Sequence, residues 1–487
     1  MSPSSRALGK LLPDLRLDAA TAAVPIIGIA SDSRRVRPGY LFAAVPGSKK
    51  DGAAFVPAAV NAGAAAVLAE HAPADPVGVP VVLVADVRAA LAKAAARLFA
   101  PMPKTIVAVT GTAGKTSVAH FTRQIWEKCG VEAAYLGTLG LITPEQQRSG
   151  ILTTPPPIEL ALILGRLARA GIDHVALEAS SHGLDQRRLD GLTLAAGAFT
   201  NIGRDHLDYH ASAEDYLNAK LRLFTELLPQ DAVAVIADGF PGSQAALAAA
   251  GMRGLATLTV GSLDADLALL DTQRHGLAQR VTLEWGGEER RLDIPLVGHF
   301  QVCNALVAAG LVIATGGDPA QVLGTLESLQ GVPGRLELIG QVECGAPVFV
   351  DYAHKPEALG FALEALRPFA SGRLVVVFGA GGDRDPGKRK LMGEVAAEKA
   401  DVVIVTDDNP RTEDPATIRR AILDAAPDAQ EIGDRREAID EAIHMLRPGD
   451  VLLIAGKGHE TGQVVGDETL PFEDAEVVRA ALGGAQS

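Results

Sequence analysis

One octapeptide constrains the fold of this chain more than any other segment. Thr110-Gly111-Thr112-Ala113-Gly114-Lys115-Thr116-Ser117 lies between an apolar strand at Ile106–Val109 and a helix that begins near Thr116. In such a turn the backbone N–H groups and the helix N-terminus face a polyphosphate. We therefore expect Lys115 to reach the β- and γ-phosphates and the Thr116 hydroxyl to hold Mg²⁺. The strict pattern needs glycine at position 109, where this chain has valine, so the match is to GxxGKT, and a glycine turn with one surface lysine is the alternative.

The chain length predicts about three domains. It has 487 residues, and a domain takes roughly 150. Proline and glycine interrupt the helical patterns at 100–104 and 331–335, which predicts domains at 1–101, 102–333 and 334–487. An alanine-rich segment, Val87–Phe99, is typical of a helix. In the second and third parts, apolar strands alternate with helical segments, which indicates an α/β fold with mainly parallel sheets.

Composition excludes several classes of protein. With 48% hydrophobic and 21% charged residues the chain is a folded one, and its net charge of -14 disfavours nucleic acid as a partner. No apolar run approaches the ~18 residues that a membrane helix needs, and no export signal is evident, so we expect a cytoplasmic protein without membrane insertion. Three widely spaced cysteines predict neither a disulfide framework nor a zinc knuckle.

Two further segments carry candidate chemistry. Glu178 ends the strand HVALE, where a carboxylate facing a phosphate loop is well placed to bind Mg²⁺, although a solvated acid is the alternative. His206 and His210 have i, i+4 spacing, but they lack a third zinc ligand, so capping and hydrogen bonding compete with metal binding. A second glycine loop, Gly379–Gly382, fails the dinucleotide pattern because its sixth position is Arg384.

These and other segments resemble the Mur ligases, ATP-dependent enzymes that add amino acids to the UDP-muramoyl peptide precursor of peptidoglycan. The resemblance covers nearly the whole chain, and its most specific segments are TGTAGKTS (110–117), LEASSHGLDQRRL (177–189), FTNIGRDHLDYH (199–210), GHFQVCNALVA (298–308), GVPGRLE (331–337) and VDYAHKPEAL (350–359). Asp408-Asn409-Pro410-Arg411 and Gly456-Lys457-Gly458-His459-Glu460 are most similar to the tripeptide-forming branch that uses meso-diaminopimelate rather than lysine.

The resemblance implies a fold and a reaction. The fold is three-domain α/β, with a UDP-substrate domain, a central P-loop domain built on a mainly parallel sheet, and a Rossmann-like C-terminal domain that binds the amino acid. In the reaction, ATP phosphorylates the D-glutamate carboxylate of UDP-N-acetylmuramoyl-L-alanyl-D-glutamate, and the amine of meso-diaminopimelate displaces the phosphate. Positioning and charge neutralisation then carry the catalysis.

The resemblance also assigns roles by position. The expected metal-binding and catalytic positions are Thr116, Glu178, His206 and Lys220, with Lys115 on the phosphates and Lys220 carbamylated. Adenosine is expected at Asn304 and Asp351, and the uridine diphosphate at Ser31, Ser33, Ser48 and Lys49. The muramoyl peptide is expected at Thr153, Thr154, Ser180, Gln186 and Arg188. The amino acid is expected at Arg384, Asp408, Asn409, Pro410, Arg411, Gly456 and Glu460.

The expected amino-acid residues agree with a substrate that has two carboxylates and two amines. Guanidinium groups at 384 and 411 pair with a carboxylate in bidentate fashion, and Glu460 meets an ammonium. Lysine has no distal carboxylate, so it would leave Arg411 without a partner. The alternatives are a lysine-adding relative, a folylpolyglutamate synthetase, which lacks a uridine-binding domain, and a P-loop switch protein that needs no amine acceptor.

Overall fold

The computed structural model describes residues 5–47, 51–148, 150, 152–206 and 209–484. The chain divides into two units, Met1–Ala268 with Asn304–Thr325, and Leu269–Cys303 with Leu326–Ser487. Two elements, β15 (Leu267–His275) and α10 (His299–Ala314), contribute residues to both. None of the helices in the described ranges combines the length and the apolar character needed to cross a bilayer.

The N-terminal part of unit 1 is a small parallel sheet with helices on both faces. In this part β1 (Arg6–Ala7) and β2 (Pro25–Ile26) form a separate two-stranded antiparallel sheet, and the parallel sheet contains β3 (Gly28–Ala30), β4 (Tyr40–Ala43), β5 (Ala64–Ala69) and β6 (Val81–Leu83). The helices are α1 (Leu8–Leu11), α2 (Ala19–Ala23), α3 (Val56–Asn61) and α4 (Val87–Phe99). The sheet order is β3-β4-β5-β6, and all pairs are parallel. Because side chains alternate along a strand, Leu41 and Leu68 enter one core cluster while Phe42 and Val67 enter the other.

Helix α4 confirms the helix predicted at Val87–Phe99. Asp86 caps its N-terminus by accepting a hydrogen bond of 2.9 Å from the backbone N–H of Ala89, which satisfies one of the helix's free donors. Leu91 and Leu98 on its apolar face then pack into the core that covers the sheet.

The larger part of unit 1 is a second, mainly parallel sheet. Its strands are β7 (Thr105–Thr110), β8 (Ala133–Gly137), β9 (Gly140–Ile142), β10 (Gln147–Arg148), β11 (His174–Glu178), β12 (Ala196–Phe199), β13 (Val233–Ala237) and β14 (Ala256–Gly261). Its helices are α5 (Lys115–Lys128), α6 (Pro157–Arg169), α7 (Ser181–Asp185), α8 (Ala213–Arg222), α9 (Ser243–Met252) and α11 (Pro319–Thr325). The order is β10-β9-β8-β11-β7-β12-β13-β14, followed by β15, with β9 and β10 antiparallel at the edge.

The register of this sheet positions the candidate site. Strand β7 lies between β11 and β12, with Glu178 opposite Val109 and Phe199 opposite Thr110. The carboxyl ends of these three parallel strands therefore meet at one edge. Ligands of open α/β sheets bind at such an edge, and here the phosphate loop, Glu178 and the loop after β12 all begin there.

Unit 2 contains a separate sheet in the order β18-β19-β23-β20-β21-β22, parallel except for β18. The strands of the unit are β16 (Ala278–Trp285), β17 (Glu288–Ile294), β18 (Glu337–Gln341), β19 (Pro347–Asp351), β20 (Leu374–Phe378), β21 (Val402–Val405), β22 (Gln430–Glu431), β23 (Val451–Ala455), β24 (Gly462–Val465) and β25 (Glu468–Pro471). The helices are α12 (Pro356–Leu366), α13 (Gly387–Lys399), α14 (Pro415–Leu423), α15 (Arg435–His444) and α16 (Asp474–Gly484). Strands β20, β21 and β23 confirm the apolar strands predicted from the sequence.

Candidate active site

The phosphate loop connects β7 to α5 through two glycines with positive φ. Gly111 has φ 147° and Gly114 has φ 85°, a backbone region that L side chains rarely adopt. A Cβ at Gly114 would lie 2.5 Å from Oδ1 of Asn304, so glycine also permits close packing there. Thr200 holds the loop from the neighbouring strand end, with Oγ1 donating to the carbonyl oxygen of Ala113 at 2.6 Å. The predicted strand, turn and helix are confirmed, and Asn304 lies beside the loop.

The loop residues meet at the N-terminus of α5. Lys115 is its first residue, and its Nζ donates hydrogen bonds of 2.9 Å to the carbonyl oxygens of Gly111 and Thr112. Thr116 and Ser117, in the first turn, are buried. The backbone N–H groups at this helix N-terminus and the ammonium of Lys115 form a cationic end suited to an anion.

Glu178, at the end of β11, is buried and held by donors on both carboxylate oxygens. Oε1 accepts hydrogen bonds from the Tyr135 hydroxyl and, at 2.8 Å, from the backbone N–H of Thr138. Oε2 accepts from Oγ1 of Thr116 at 3.1 Å and from Oγ1 of Thr138 at 3.2 Å. With 1% exposure this carboxylate is not the solvated acid of the alternative interpretation.

Lys220, on α8, is also buried, with 1% exposure. Its Nζ donates to the carbonyl oxygen of Gly111 at 2.7 Å and lies 4.4 Å from the centre of the Tyr216 ring. Burial lowers the pKa of Lys220 well below its ordinary value, and repulsion from Lys115 lowers it further, while Asp205 opposes the shift. At a given pH, a larger fraction of this side chain is therefore the neutral amine than of an exposed lysine.

His206 lies in the loop after β12, with φ 52°. Its ring packs at 4.8 Å from that of His182 and at 6.2 Å from that of Tyr216. The Tyr216 hydroxyl lies 3.0 Å from Oγ1 of Thr112, so the histidine is linked to the phosphate loop through one aromatic side chain. His182 also lies beside the ring of His210, with 5.6 Å between the ring centres.

The expected muramoyl-peptide residues form one hydrogen-bonded network. Oγ1 of Thr154 donates to the backbone carbonyl oxygen of Glu178 at 2.7 Å and lies 3.1 Å from Oγ of Ser180. Arg188 donates to the carbonyl oxygen of Thr154 and, at 2.8 Å, to Oε1 of Gln186.

Thr153 extends this network towards the phosphate loop. Its Oγ1 lies 3.0 Å from Oγ1 of Thr138, and Thr138 donates to the Glu178 carboxylate. The structure therefore brings the five predicted residues into one connected group beside the loop: Thr153, Thr154, Ser180, Gln186 and Arg188.

Of the four residues expected to bind the uridine diphosphate, two lie in the part of the chain that the structure describes. Ser31 follows β3 and is exposed, and Ser33 begins a short 3₁₀ helix at Ser33–Arg35. Asp32 caps this helix and pairs with the Arg34 guanidinium at 2.8 Å, and these hydrogen bonds lower the pKa of Asp32 to about 2. Ser48 and Lys49 lie outside the described residues.

In unit 2, Asp351 ends β19. Its Oδ2 accepts a hydrogen bond of 2.6 Å from the backbone N–H of Leu336, and desolvation raises its pKa to about 6 in spite of the nearby Arg335. The carboxylate lies at the carboxyl edge of the unit 2 sheet, and its predicted role in adenosine binding stays a prediction.

The Asp408–Arg411 loop follows β21 and is held by the β24–β25 hairpin. The backbone N–H of Val464 donates to Oδ1 of Asn409 at 2.9 Å, and that of Arg411 donates to the carbonyl oxygen of Val464 at 3.0 Å. Gln463 reaches the carbonyl oxygen of Asp408 at 2.7 Å. These bonds fix the loop although it has no regular secondary structure of its own.

Gly456 and Glu460 follow β23 and meet the same loop. A Cβ at Gly456 would lie 2.6 Å from Oδ2 of Asp408, so only glycine allows this approach without rearrangement. Oε2 of Glu460 accepts a hydrogen bond of 2.9 Å from Nδ2 of Asn409. The structure thus joins Asp408, Asn409, Gly456 and Glu460 in one cluster.

Arg384 and Arg411, the two arginines expected to bind the amino acid, differ in their surroundings. Nη1 of Arg411 donates to the carbonyl oxygen of Gly382 at 2.8 Å, and the Pro410 carbonyl lies against the same glycine. Arg384 lies on the adjacent loop and is exposed. Asp383 accepts a 2.7 Å hydrogen bond from Oγ1 of Thr412, which ties the two arginine loops together.

Sequence reasoning missed several residues that support these groups. Tyr135 and Thr138 hold Glu178, Thr200 holds the phosphate loop, and Lys457 contacts both Asn409 and Glu460. Tyr135 sits in the apolar run AAYLG, where only a polar group on an otherwise buried strand hints at a role.

The donor set at the phosphate loop fits Mg²⁺. Thr116 and Glu178 place a hydroxyl and a carboxylate oxygen 3.1 Å apart, and Mg²⁺ prefers such hard oxygen ligands. Within the described ranges no group of three or more His, Cys, Asp or Glu side chains forms a metal-binding cluster. Mg²⁺ commonly completes its shell with substrate phosphates and water, so two protein oxygens suffice.

Three family models match the chain. The Mur ligase catalytic domain matches residues 25–98, the Mur ligase middle domain matches 109–312, and the Mur ligase glutamate ligase domain matches 334–458. A curated relative from Bradyrhizobium diazoefficiens is 56% identical over 473 residues, which are 96% of this chain and 97% of the relative. The chain therefore belongs to the Mur ligase family.

The relatives also share one name. The Bradyrhizobium protein and a Brucella melitensis protein, 55% identical over 94% of both chains, are each named UDP-N-acetylmuramoyl-L-alanyl-D-glutamate--2,6-diaminopimelate ligase. A solved structure of that name has a TM-score of 0.76 at 32% identity and covers 99% of this chain and 100% of its own. A folylpolyglutamate synthase from Mycobacterium tuberculosis, complexed with ADP, shares the fold at 21% identity and a TM-score of 0.61 over 76% of this chain and 92% of its own.

The comparisons confirm the predicted family and α/β fold class. The predicted domain boundaries near 101 and 333 and the individual site assignments stay predictions.

Proposed function

We propose that this chain is the ATP-dependent ligase that joins meso-diaminopimelate to UDP-N-acetylmuramoyl-L-alanyl-D-glutamate. The γ-phosphoryl group of ATP passes to a D-glutamate carboxylate oxygen, which gives an acyl phosphate and ADP. The amine then attacks the acyl carbon, loses a proton and expels inorganic phosphate, so that one amide bond forms for each ATP consumed.

One observation carries this proposal: a continuous chain of hydrogen bonds joins the phosphate loop to the acceptor residues. Thr116 contacts one oxygen of Glu178 at 3.1 Å, and Thr138 joins that carboxylate to Thr153 at 3.0 Å. Thr154 bonds to the backbone of Glu178 at 2.7 Å. A phosphoryl donor on the loop and a carboxylate on the threonines would therefore lie side by side, as transfer requires.

The chain's own groups supply the charge that phosphoryl transfer needs. The backbone N–H groups at the start of α5 and the ammonium of Lys115 stabilise a polyphosphate, and Lys115 exchanges its present carbonyl partners for phosphate oxygens. Mg²⁺, when held by Thr116 and Glu178, neutralises charge on the transferring phosphoryl group. The ADP complex of the folylpolyglutamate synthase relative supports nucleotide binding by this fold.

Lys220 supports the expected carbamate. A neutral amine reacts with carbon dioxide to give a carbamate and a proton, and the lowered pKa of Lys220 increases the fraction of that neutral form. Lys115 and Lys220 both contact the carbonyl oxygen of Gly111, at 2.9 and 2.7 Å. Lys115 disfavours the protonated form of Lys220 but would attract the carbamate anion, which adds oxygen ligands beside the phosphate loop.

The unit 2 cluster suits the incoming amino acid. Glu460 is a partner for an ammonium group, while Asn409 and Arg411 supply donors for a carboxylate. Within the described ranges the Arg411 guanidinium donates to backbone carbonyl groups rather than to a carboxylate side chain, so it keeps donors for an acid. This arrangement favours a substrate with a distal carboxylate over lysine.

Phosphate release from ATP tests the function. We expect release only when ATP, the UDP-muramoyl dipeptide and meso-diaminopimelate are all present, with little release when lysine replaces the amine. Lys115→Met should abolish release, whereas Lys128→Met, at the exposed far end of α5, should not. Release without any amine would favour a nucleotide switch, and equal release with lysine would indicate a lysine-adding ligase.

A further inference from the structure

Lys457 is a fully buried cation that contacts the unit 2 cluster of Asp408, Asn409, Gly456 and Glu460. It follows β23 between Gly456 and Gly458, and its side chain is 0% exposed. Nζ donates to Oδ1 of Asn409 at 3.1 Å, to Oε2 of Glu460 at 3.1 Å and to the carbonyl oxygen of Gly462 at 2.6 Å. All three N–H donors of the ammonium therefore have acceptors, as a buried charge requires.

These bonds determine which face of the Asn409 amide is available. Oδ1 receives two donors, the Lys457 ammonium and the backbone N–H of Val464 at 2.9 Å. Because two hydrogen-bond donors need an acceptor, the atom that faces them must be the amide oxygen, and the Nδ2 group must point the other way. One N–H of Nδ2 donates to Glu460 at 2.9 Å, and among the residues that the structure describes the second has no acceptor, so it is left for a ligand.

The same ammonium orients Glu460. Oε2 of Glu460 accepts hydrogen bonds from both Lys457 and Asn409. Within the described part of the chain, neither of these residues donates to Oε1. The carboxylate is thereby fixed through one oxygen, and the other is available to an ammonium of the substrate. Lys457 thus presents a donor at Asn409 and an acceptor at Glu460 at the same time.

We propose that Lys457 is a positioning residue for amino-acid selection, which holds Asn409 as a hydrogen-bond donor and Glu460 as an acceptor. This inference rests on the proposed function. A donor at position 409 matches a carboxylate and opposes an ammonium, so the geometry favours meso-diaminopimelate over lysine. Without the ammonium, the Asn409 oxygen keeps only the Val464 N–H, and Glu460 loses its buried counter-charge.

The test compares Lys457→Met with the parent protein at saturating ATP and UDP-muramoyl dipeptide. Loss of a buried charged hydrogen-bond donor should raise the KM for meso-diaminopimelate about tenfold or more and lower its preference over lysine. The KM values for ATP and for the dipeptide should stay unchanged, a split that general destabilisation would not produce. Arg373→Met is the matched control, because Arg373 pairs with Asp450 and the Met445 carbonyl away from the Asp408–Arg411 loop.

A second variant keeps the proposal falsifiable if Lys457→Met does not fold. Lys457→Gln is one bond shorter and neutral, so it should also raise the KM for meso-diaminopimelate. An unchanged KM and preference in whichever variant folds would overturn the proposal. So would failure of both to fold while Arg373→Met folds, since Lys457 would then be purely structural. An inactive parent protein would instead refute the proposed function.

Discussion

Tyr135 is expected to set the strength of metal–nucleotide binding although it does not lie on the phosphate loop. Its hydroxyl donates to Oε1 of Glu178 and accepts a 3.2 Å hydrogen bond from the backbone N–H of Leu139. The side chain is 0% exposed, so no solvent replaces the hydroxyl when it is removed. In Tyr135→Phe, Oε1 keeps the 2.8 Å bond from the Thr138 N–H but loses its hydroxyl donor, so the carboxylate is held less firmly.

The size of the effect follows from these contacts. A hydrogen bond to a charged group contributes about 1.5–3 kcal/mol, so the loss should weaken MgADP binding about 10- to 150-fold. The Leu139 N–H also loses its acceptor, which should lower the free energy of unfolding by about 1–3 kcal/mol. The variant should therefore fold with a lower Tm and bind MgADP poorly.

Titration calorimetry with ADP, in the presence and absence of Mg²⁺, measures this effect without turnover. Tyr135→Phe should weaken binding only when Mg²⁺ is present. Thr122→Val is the control, because it removes another buried hydroxyl of the same unit, one that donates to the Val118 carbonyl oxygen at 2.8 Å. A folded Tyr135→Phe protein with parental MgADP affinity would refute the role of Tyr135 at Glu178.

Three further predictions concern turnover, pH and stability. Lys220→Ala should abolish turnover because the carbamate oxygens are lost, and short carboxylic acids should restore part of the rate; an active variant that needs no rescue would remove the carbamate from the account. Burial lowers the pKa of His120 from 6.5 to about 3, so the unfolded chain binds more protons between these values and stability should fall as the pH drops below about 6.5. His120→Gln should flatten this fall in a series of Tm measurements. Asp474→Ala leaves the Arg435 guanidinium, with which it pairs at 2.7 Å at 0% exposure, without its counter-ion; the loss of about 3–5 kcal/mol should lower the Tm by roughly 6–20 °C, whereas Glu364→Ala, at an exposed pair with Lys399, should change it little.

The sequence predicted the parts of the site that local pattern specifies. An apolar run, two glycines and a lysine give β7, the phosphate loop and α5, because strand formation, positive φ and helix initiation depend on neighbouring residues. Glu178 was found in the same way, since a carboxylate at the end of a parallel strand must lie at the ligand-binding edge.

The remaining features depend on contacts between distant segments. Lys220 has the sequence pattern of a helix-surface lysine, yet it is buried against the Gly111 carbonyl, 109 positions away, and only the fold brings these two groups together. Lys457 stands between glycines and resembles a loop cation, and its burial comes from Asn409, 48 positions away. Local pattern cannot show that such a cation is enclosed.

In the proposed reaction, the carboxylate of the acceptor is phosphorylated before the amide forms. The most direct measurement uses UDP-N-acetylmuramoyl-L-alanyl-D-glutamate labelled with ¹⁸O in its glutamate carboxylates, incubated with ATP and meso-diaminopimelate. Mass spectrometry of the inorganic phosphate should show one ¹⁸O atom for each amide formed, since the oxygen that accepts the phosphoryl group leaves with it. Phosphate that contains no ¹⁸O would show that ATP is hydrolysed by water and would contradict the proposed reaction.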